Sequence, residues 1–147
     1  MNESRAIYSG KNEESGNPKK AQARWCIRCA LKDGTIESRD GVVILQNVTT
    51  KRAVLYALDQ ALQKFNKAAV IKIYISDDYV RAVFLNSWIG RWKNNDWHKI
   101  RLNGDIRHLD LWQQIAGKLS NHAVTYAKKN ELENEVLQDM ERRLNIG

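Results

Sequence analysis

The chain has two cysteines, one proline and three histidines in 147 residues, and no apolar run near the ~20 residues that a membrane-spanning helix needs. Membrane spanning is therefore not expected. Cys26 and Cys29, in RWCIRCALK, do not complete a zinc site. The run has strand character, so positions three apart point to opposite faces of a sheet, and no second Cys or His pair stands at ligand spacing. Two thiols fit a reducing compartment, and the polar opening MNESRAIYSG has no signal-peptide pattern, so a cytoplasmic protein is expected. His98, His108 and His122 are scattered, and none is assigned a proton-transfer role. With no internal repeat, low-complexity tract or linker, residues 1–147 read as one domain, frayed at 1–5 and 144–147. A chain of this size buries roughly two thirds of its unfolded surface without disulfides or metal.

What is present is positive charge and a clear periodicity. Twenty-four Lys and Arg against 17 Asp and Glu give a formal charge of +7, which favours a phosphate-bearing or otherwise anionic partner. Residues Arg5 to Tyr8 form a first short strand, followed by the polar loop SGKNEESGNPKK, which holds the lone proline, Pro18. Ala23 to Lys32 and Thr35 to Arg39 read as a hairpin around Asp33-Gly34, with a separate apolar strand at Val42 to Gln46. From Lys51 to Phe65, Val54, Leu58, Ala61, Leu62 and Phe65 recur at helical spacing, with Thr49 or Thr50 as N-cap. Ala69 to Ile75 alternates little and reads as a strand covered on both sides. After Asp77-Asp78 a helix carries Val80, Val83, Phe84 and Trp88 on one stripe. The tryptophan-rich basic segment WIGRWKNNDWHKIRLNGDIRH follows, then a helix from Leu109 to Leu119. The strand HAVTYAK and a last helix from Glu131 close the chain, with Leu132, Val136, Leu137, Met140 and Leu144 inward. Strands separated by helices require crossovers, so strands one, four and five are expected as parallel neighbours in a five-stranded mixed α/β sheet with helices on both faces.

This order, with particular residues, resembles ribonuclease H of the type that cuts RNA in RNA/DNA hybrids, over nearly the whole chain. IYISDDYVR, then SWIGRWKNNDW, then LDLWQQI resemble the family's fourth strand, the following helix, its tryptophan-bearing basic handle and the Asp-Leu-Trp start of the next helix. Ile7-Tyr8 followed by Gly16-Asn17-Pro18 resembles the first strand and its loop. Thr49-Thr50-Lys51-Arg52-Ala53 resembles the beginning of the first helix, and Glu133-Asn134-Glu135 that of the last.

The resemblance implies a cleft in which four carboxylates hold two magnesium ions. Carried over one position at a time, the four acids fall on Gly10, Val54, Ser76 and Gln138. The family's flexible histidine loop is also shortened, with Lys129-Asn130 standing where Gly-His would. Asp77, Asp78 and Asp139 lie within two residues of such positions, but a one-residue slip turns a strand side chain to the other face, and one step along a helix rotates it by roughly 100 degrees. Asp77 and Asp78 are therefore read as helix-capping or solvated residues, with metal binding as the alternative.

The binding features of the resemblance are better represented. Tyr79 to His108 holds six Lys or Arg against two acids. Asn17, Thr49, Arg91, Trp92, Lys93, Trp97, Lys99 and Arg101 are the candidate nucleic-acid contacts. Trp25, Trp88 and Trp112 are expected in the core, and Trp92 and Trp97 on the surface. The resulting expectation is a catalytically inactive ribonuclease H-like protein, without metal cofactor, that binds an RNA/DNA hybrid or double-stranded RNA. Two alternatives stand beside it. One is a protein-interaction module or decoy with a protein partner. The other is a magnesium-dependent nuclease using the displaced acids Asp77, Asp78, Glu135 and Asp139.

Overall fold

The computed structural model describes residues 4–11, 20–30, 33–97, 106–132, 135, 136 and 138. Its strands are β1 (Ser4–Lys11), β2 (Lys20–Ala30), β3 (Ile36–Gln46), β4 (Val70–Ile75) and β5 (Ala123–Tyr126). Its α-helices are α1 (Thr50–Gln63), α2 (Asp78–Leu85), α3 (Trp88–Asn94) and α4 (Leu109–Leu119), with a 3-10 turn at Lys129–Glu131. One sheet runs in the order β3-β2-β1-β4-β5. The β1–β2 and β2–β3 pairs are antiparallel, while β1–β4 and β4–β5 are parallel, as the helical crossovers require.

The register sets the core. Ile7 stands opposite Ile27 on one side and Ile73 on the other, and Ser9 stands between Trp25 and Ile75. These side chains share one face of the sheet, and all are buried. Helix α1 packs on that face against β1, β2 and β3, α4 packs against α1, and α2 packs against β4 and β5. The α1 stripe of Val54, Leu58, Ala61 and Leu62 is buried as its spacing predicts. Val54, Leu58 and Leu62 each contribute roughly 1.5–3 kcal/mol by leaving water.

Several expectations are corrected. Thr35–Arg39 and Val42–Gln46 belong to one strand, β3, which starts at Ile36 and runs through Gly41 without a break. Gly41 pairs with Trp25, whose indole lies so close that a Cβ at position 41 would meet ring atoms at 2.6 Å. The glycine makes room for the indole and does not mark a turn. The turn is at Asp33-Gly34, where Gly34 has φ +89° and the Asp33 carboxylate accepts from Thr35 N–H at 2.9 Å. Strand β4 does alternate. Ile71, Ile73 and Ile75 are buried, while Lys72 and Tyr74 are half-exposed on the other face, where Tyr74 stacks on Tyr8 at 4.6 Å and Lys72 pairs with Glu131. Ser4 and Arg5 pair with Ala30 and Cys29. Residues 144–147 lie outside the described residues.

The segment after β4 is two helices. Ser87, at φ +56°, breaks the turn between α2 and α3, so Trp88 opens a new helix. Trp88, Trp92 and Trp112 then form a chain of rings, with centroids 6.4 and 5.9 Å apart, and Phe84 meets Trp112 edge-on at 5.5 Å. Trp25 and Trp112 are core as expected, and Trp88 is half-buried against the core. Trp92 is 9% exposed, which overturns its placement on the surface: the i, i+4 step from Trp88 carries it onto the buried stripe of α3. Trp97 is half-buried and packs against the core.

Candidate functional site

The parallel strands β1 and β4 end side by side, and the chain leaves β4 directly into α2. Crevices at the carboxyl ends of adjacent parallel strands, where connections diverge, are recurrent ligand sites in α/β folds. Ser76 N–H donates to the Ser9 carbonyl at 3.1 Å, one step beyond the Ser9–Ile75 pair, so Gly10 and Ser76 follow on neighbouring strands. Val54 is 1% exposed within the apolar stripe of α1. Gln138 is helical and exposed.

Two charged side chains fix this junction. Asp77, 1% exposed, is the N-cap of α2, and its Oδ1 accepts from Val80 N–H at 2.9 Å. Its Oδ2 accepts from the Lys51 ammonium at 3.3 Å, which joins the first turn of α1 to that of α2. Asp78 is the more exposed acid, and it pairs with Arg81. Arg81 is itself buried, and its guanidinium donates to the carbonyls of Ile75 at 3.0 Å and Ser76 at 3.4 Å, clamping the end of β4. The hydroxyls of Ser9 and Ser76 are buried and have no hydrogen-bond partner among the described residues. Burial raises the Tyr79 pKa, and the Tyr79 ring lies 5.6 Å from the Lys51 ammonium.

A second cluster ties α1 to α4. Arg52 grips Asp110 with both arms, at 3.2 and 2.7 Å, and its Nη1 lies 3.2 Å from His108 Nδ1. A guanidinium only donates, so Nδ1 is the acceptor and the ring is neutral in this arrangement. Burial, then the Arg52 charge, lowers the His108 pKa, while the Arg52 hydrogen bond lowers that of Asp110.

Of the nucleic-acid candidates, Arg91 and Lys93 are exposed on α3 and flank the buried Trp92. Thr49 is the N-cap of α1, its hydroxyl accepting from Arg52 N–H at 3.2 Å. Asn17, Lys99 and Arg101 lie outside the described residues, as does the displaced acid Asp139. Glu135 is exposed and helical. The sequence reading named neither Lys51 nor Arg81 as a site residue. The pairing of a first-turn lysine with a cap aspartate 26 positions later leaves no local signature.

A pair of magnesium ions, which the family resemblance implies, needs several hard oxygen donors converging on one place. Among the described residues no three of His, Cys, Asp and Glu form such a group. The donors at this end of the sheet are two serine hydroxyls, Asp77, already bound to an ammonium and a helix N-terminus, and Asp78, paired with Arg81. These residues do not fit a dication pair. No helix among the described residues is long and apolar enough to cross a membrane.

No family model matches the chain. Individual relatives do. The ribonuclease H of Parvibaculum lavamentivorans is 30% identical over 112 residues, covering 76% of this chain and 70% of that one. That of Caldicellulosiruptor saccharolyticus is 26% identical over 95 residues, a stretch that spans 65% of each protein and so less than two thirds of the relative. Among solved structures, LC9-RNase H1, described as a type 1 RNase H with the type 2 active-site motif, superposes with a TM-score of 0.77 at 19% identity, covering 98% of this chain and 71% of that one. The foamy viral protease-reverse transcriptase in complex with an RNA/DNA hybrid matches 95% of this chain with 19% of its own, at 18% identity and a TM-score of 0.67. At these identities the structures speak for the fold, and the sequence relatives for the lineage: the chain belongs to the ribonuclease H family.

Proposed function

We propose that the chain binds structured nucleic acid, an RNA/DNA hybrid or double-stranded RNA, across the ends of β1 and β4 and the basic side of α3, and that it does not cleave what it binds. The observation that carries the proposal is the ion pair between Lys51 and Asp77. The acid nearest to Ser76 is engaged by an ammonium and a helix N-terminus, in a place where the family's chemistry calls for carboxylates that hold metal. Gly10, Val54 and Gln138 supply no charge at the other three positions.

Binding is supported by family membership, by the hybrid held in the related foamy viral complex, and by a formal charge of +7. The exposure of Arg91 and Lys93 on α3 supports phosphate contacts there, and Lys99, Arg101 and Asn17 are proposed to join them. Trp97 is the remaining aromatic candidate, and Trp92 serves to seat α3 on the core. Contacts of this kind read helix shape and the ribose 2′-hydroxyl, and base sequence little or not at all. The test is fluorescence anisotropy with a labelled hybrid over a salt series. The proposal expects affinity to fall with a log–log slope near one per phosphate neutralised, and the RNA strand to remain whole in magnesium. No binding at low salt overturns the first half, and cleavage overturns the second in favour of the displaced acids.

One observation favours a second reading, a protein-interaction module. The sheet-edge strand β3 exposes Ile36, Val42 and Ile44, at 57%, 42% and 51%, and Val42 and Ile44 share a face. Exposed aliphatic side chains on an open edge are a recognised docking feature. Stable co-purification of a protein partner, lost on Ile44→Lys, is the outcome this reading expects.

A further inference from the structure

The first turn of α1 holds two cations, Lys51 and Arg52, and no acid. That is the reverse of what a helix dipole favours, since the amino end of a helix carries partial positive charge. Arg52 is answered by a bidentate contact with Asp110. Lys51 is answered by one oxygen of Asp77, at 3.3 Å, but the two members of this pair are placed differently. The Asp77 side chain is 1% exposed and the Lys51 side chain 46% exposed. The negative charge is thus sunk beneath the junction, and the positive charge is presented above it. An ammonium has three donors, and the Asp77 contact takes one. In the residue before Asp77, the Ser76 hydroxyl is a buried donor without a partner among the described residues, as is that of Ser9, which is 1% exposed. Unpartnered buried hydroxyls are uncommon, because leaving one unpaired costs about 1–3 kcal/mol.

We infer that Lys51 takes the electrostatic place of the family's metal ions. Its half-exposed ammonium receives an oxygen of a backbone phosphodiester over the ends of β1 and β4, so that binding needs no divalent cation. This rests on the nucleic-acid binding proposed above and adds the anchoring residue and the independence from metal. A phosphodiester fits because its oxygens only accept, and the half-exposed ammonium donates. Two uncharged serines and a glycine at the strand ends repel no phosphate, and the exposed acid next to them, Asp78, is paired with Arg81, whereas a set of unpaired carboxylates would repel one without metal to neutralise it.

The test uses the full chain and a labelled RNA/DNA hybrid, with anisotropy measured in EDTA and in magnesium over a salt series. The wild type is expected to bind within about twofold in the two buffers. Lys51→Gln alone leaves Asp77 buried without its counter-charge and can fail to fold. The decisive comparison is therefore Asp77→Asn against Asp77→Asn with Lys51→Gln, because asparagine caps the helix as aspartate does and neither variant leaves a buried charge at position 77. Removing Lys51 in that background is expected to lower affinity about tenfold at 0.1 M salt and to reduce the salt slope by about one phosphate. Lys51→Arg in the same background should restore most of it. Equal affinity and slope for the two asparagine variants overturns the inference while leaving nucleic-acid binding standing. Tenfold tighter binding in magnesium than in EDTA also overturns it. A wild type that binds no hybrid in either buffer overturns both this inference and the reading it rests on.

Discussion

Substituting Asp77 separates a helix cap from a metal ligand, and the structure sets the size of the effect. Asp77→Ala removes the acceptor of the 2.9 Å bond from Val80 N–H, and loss of such a cap costs about 1 kcal/mol. The residue is 1% exposed, so the abandoned N–H is not simply returned to water, which adds about 1 kcal/mol more. The Lys51 ammonium is half-exposed and recovers hydration, so the lost ion pair adds only about 0–1 kcal/mol. The sum is about 2 kcal/mol, or about 4–8 °C in Tm for a domain of this size. Asp77→Asn keeps the cap and relieves a buried charge as it loses the pair, so it should remain within about 1 kcal/mol of the wild type. Urea unfolding reads both. With an m-value of about 2 kcal/mol per M, the alanine variant unfolds about 1 M earlier at unchanged slope. An alanine variant as stable as the wild type, or an asparagine variant as damaged as the alanine one, refutes the capping argument.

Three further outcomes are expected. Gly41→Val should destabilise by about 2 kcal/mol, because its Cβ meets the Trp25 indole at 2.6 Å, and urea unfolding followed by tryptophan fluorescence will read the loss. Lys118→Met leaves the Asp59 carboxylate, 5% exposed, with Gln63 as a remaining donor, and should cost about 2 kcal/mol in the same assay. The folded His108 pKa lies below its unfolded value, so the unfolded chain binds the extra proton first. Stability should therefore fall as pH drops below about 6.5 and through the folded pKa, and His108→Gln should flatten the urea-midpoint profile between pH 7 and 5.

Most of the fold was legible because it depends on local periodicity. The stripe of Val54, Leu58 and Leu62 gave α1, and the alternation of strands with helices gave the parallel β1–β4–β5 arrangement. What failed was set by contacts distant in sequence. Gly41 looks like a strand end until Trp25, on the neighbouring strand, is seen lying across it. Trp92 looks exposed between Arg91 and Lys93, but the break at Ser87 restarts the helical phase and turns it onto Trp112. At the candidate site, the capping role of Asp77 could be read from its position before α2. Its burial and its pairing with Lys51 could not, since these need α1 and α2 to meet at their amino ends.

The central claim is that this member of the ribonuclease H family holds nucleic acid without cutting it. The most direct measurement is single-turnover: protein in excess over an end-labelled RNA/DNA hybrid, in magnesium and again in manganese, with the bound fraction and the RNA length read from the same samples. The account predicts a saturating bound fraction whose RNA strand stays full length for hours. Metal-dependent shortening of the bound RNA would contradict it.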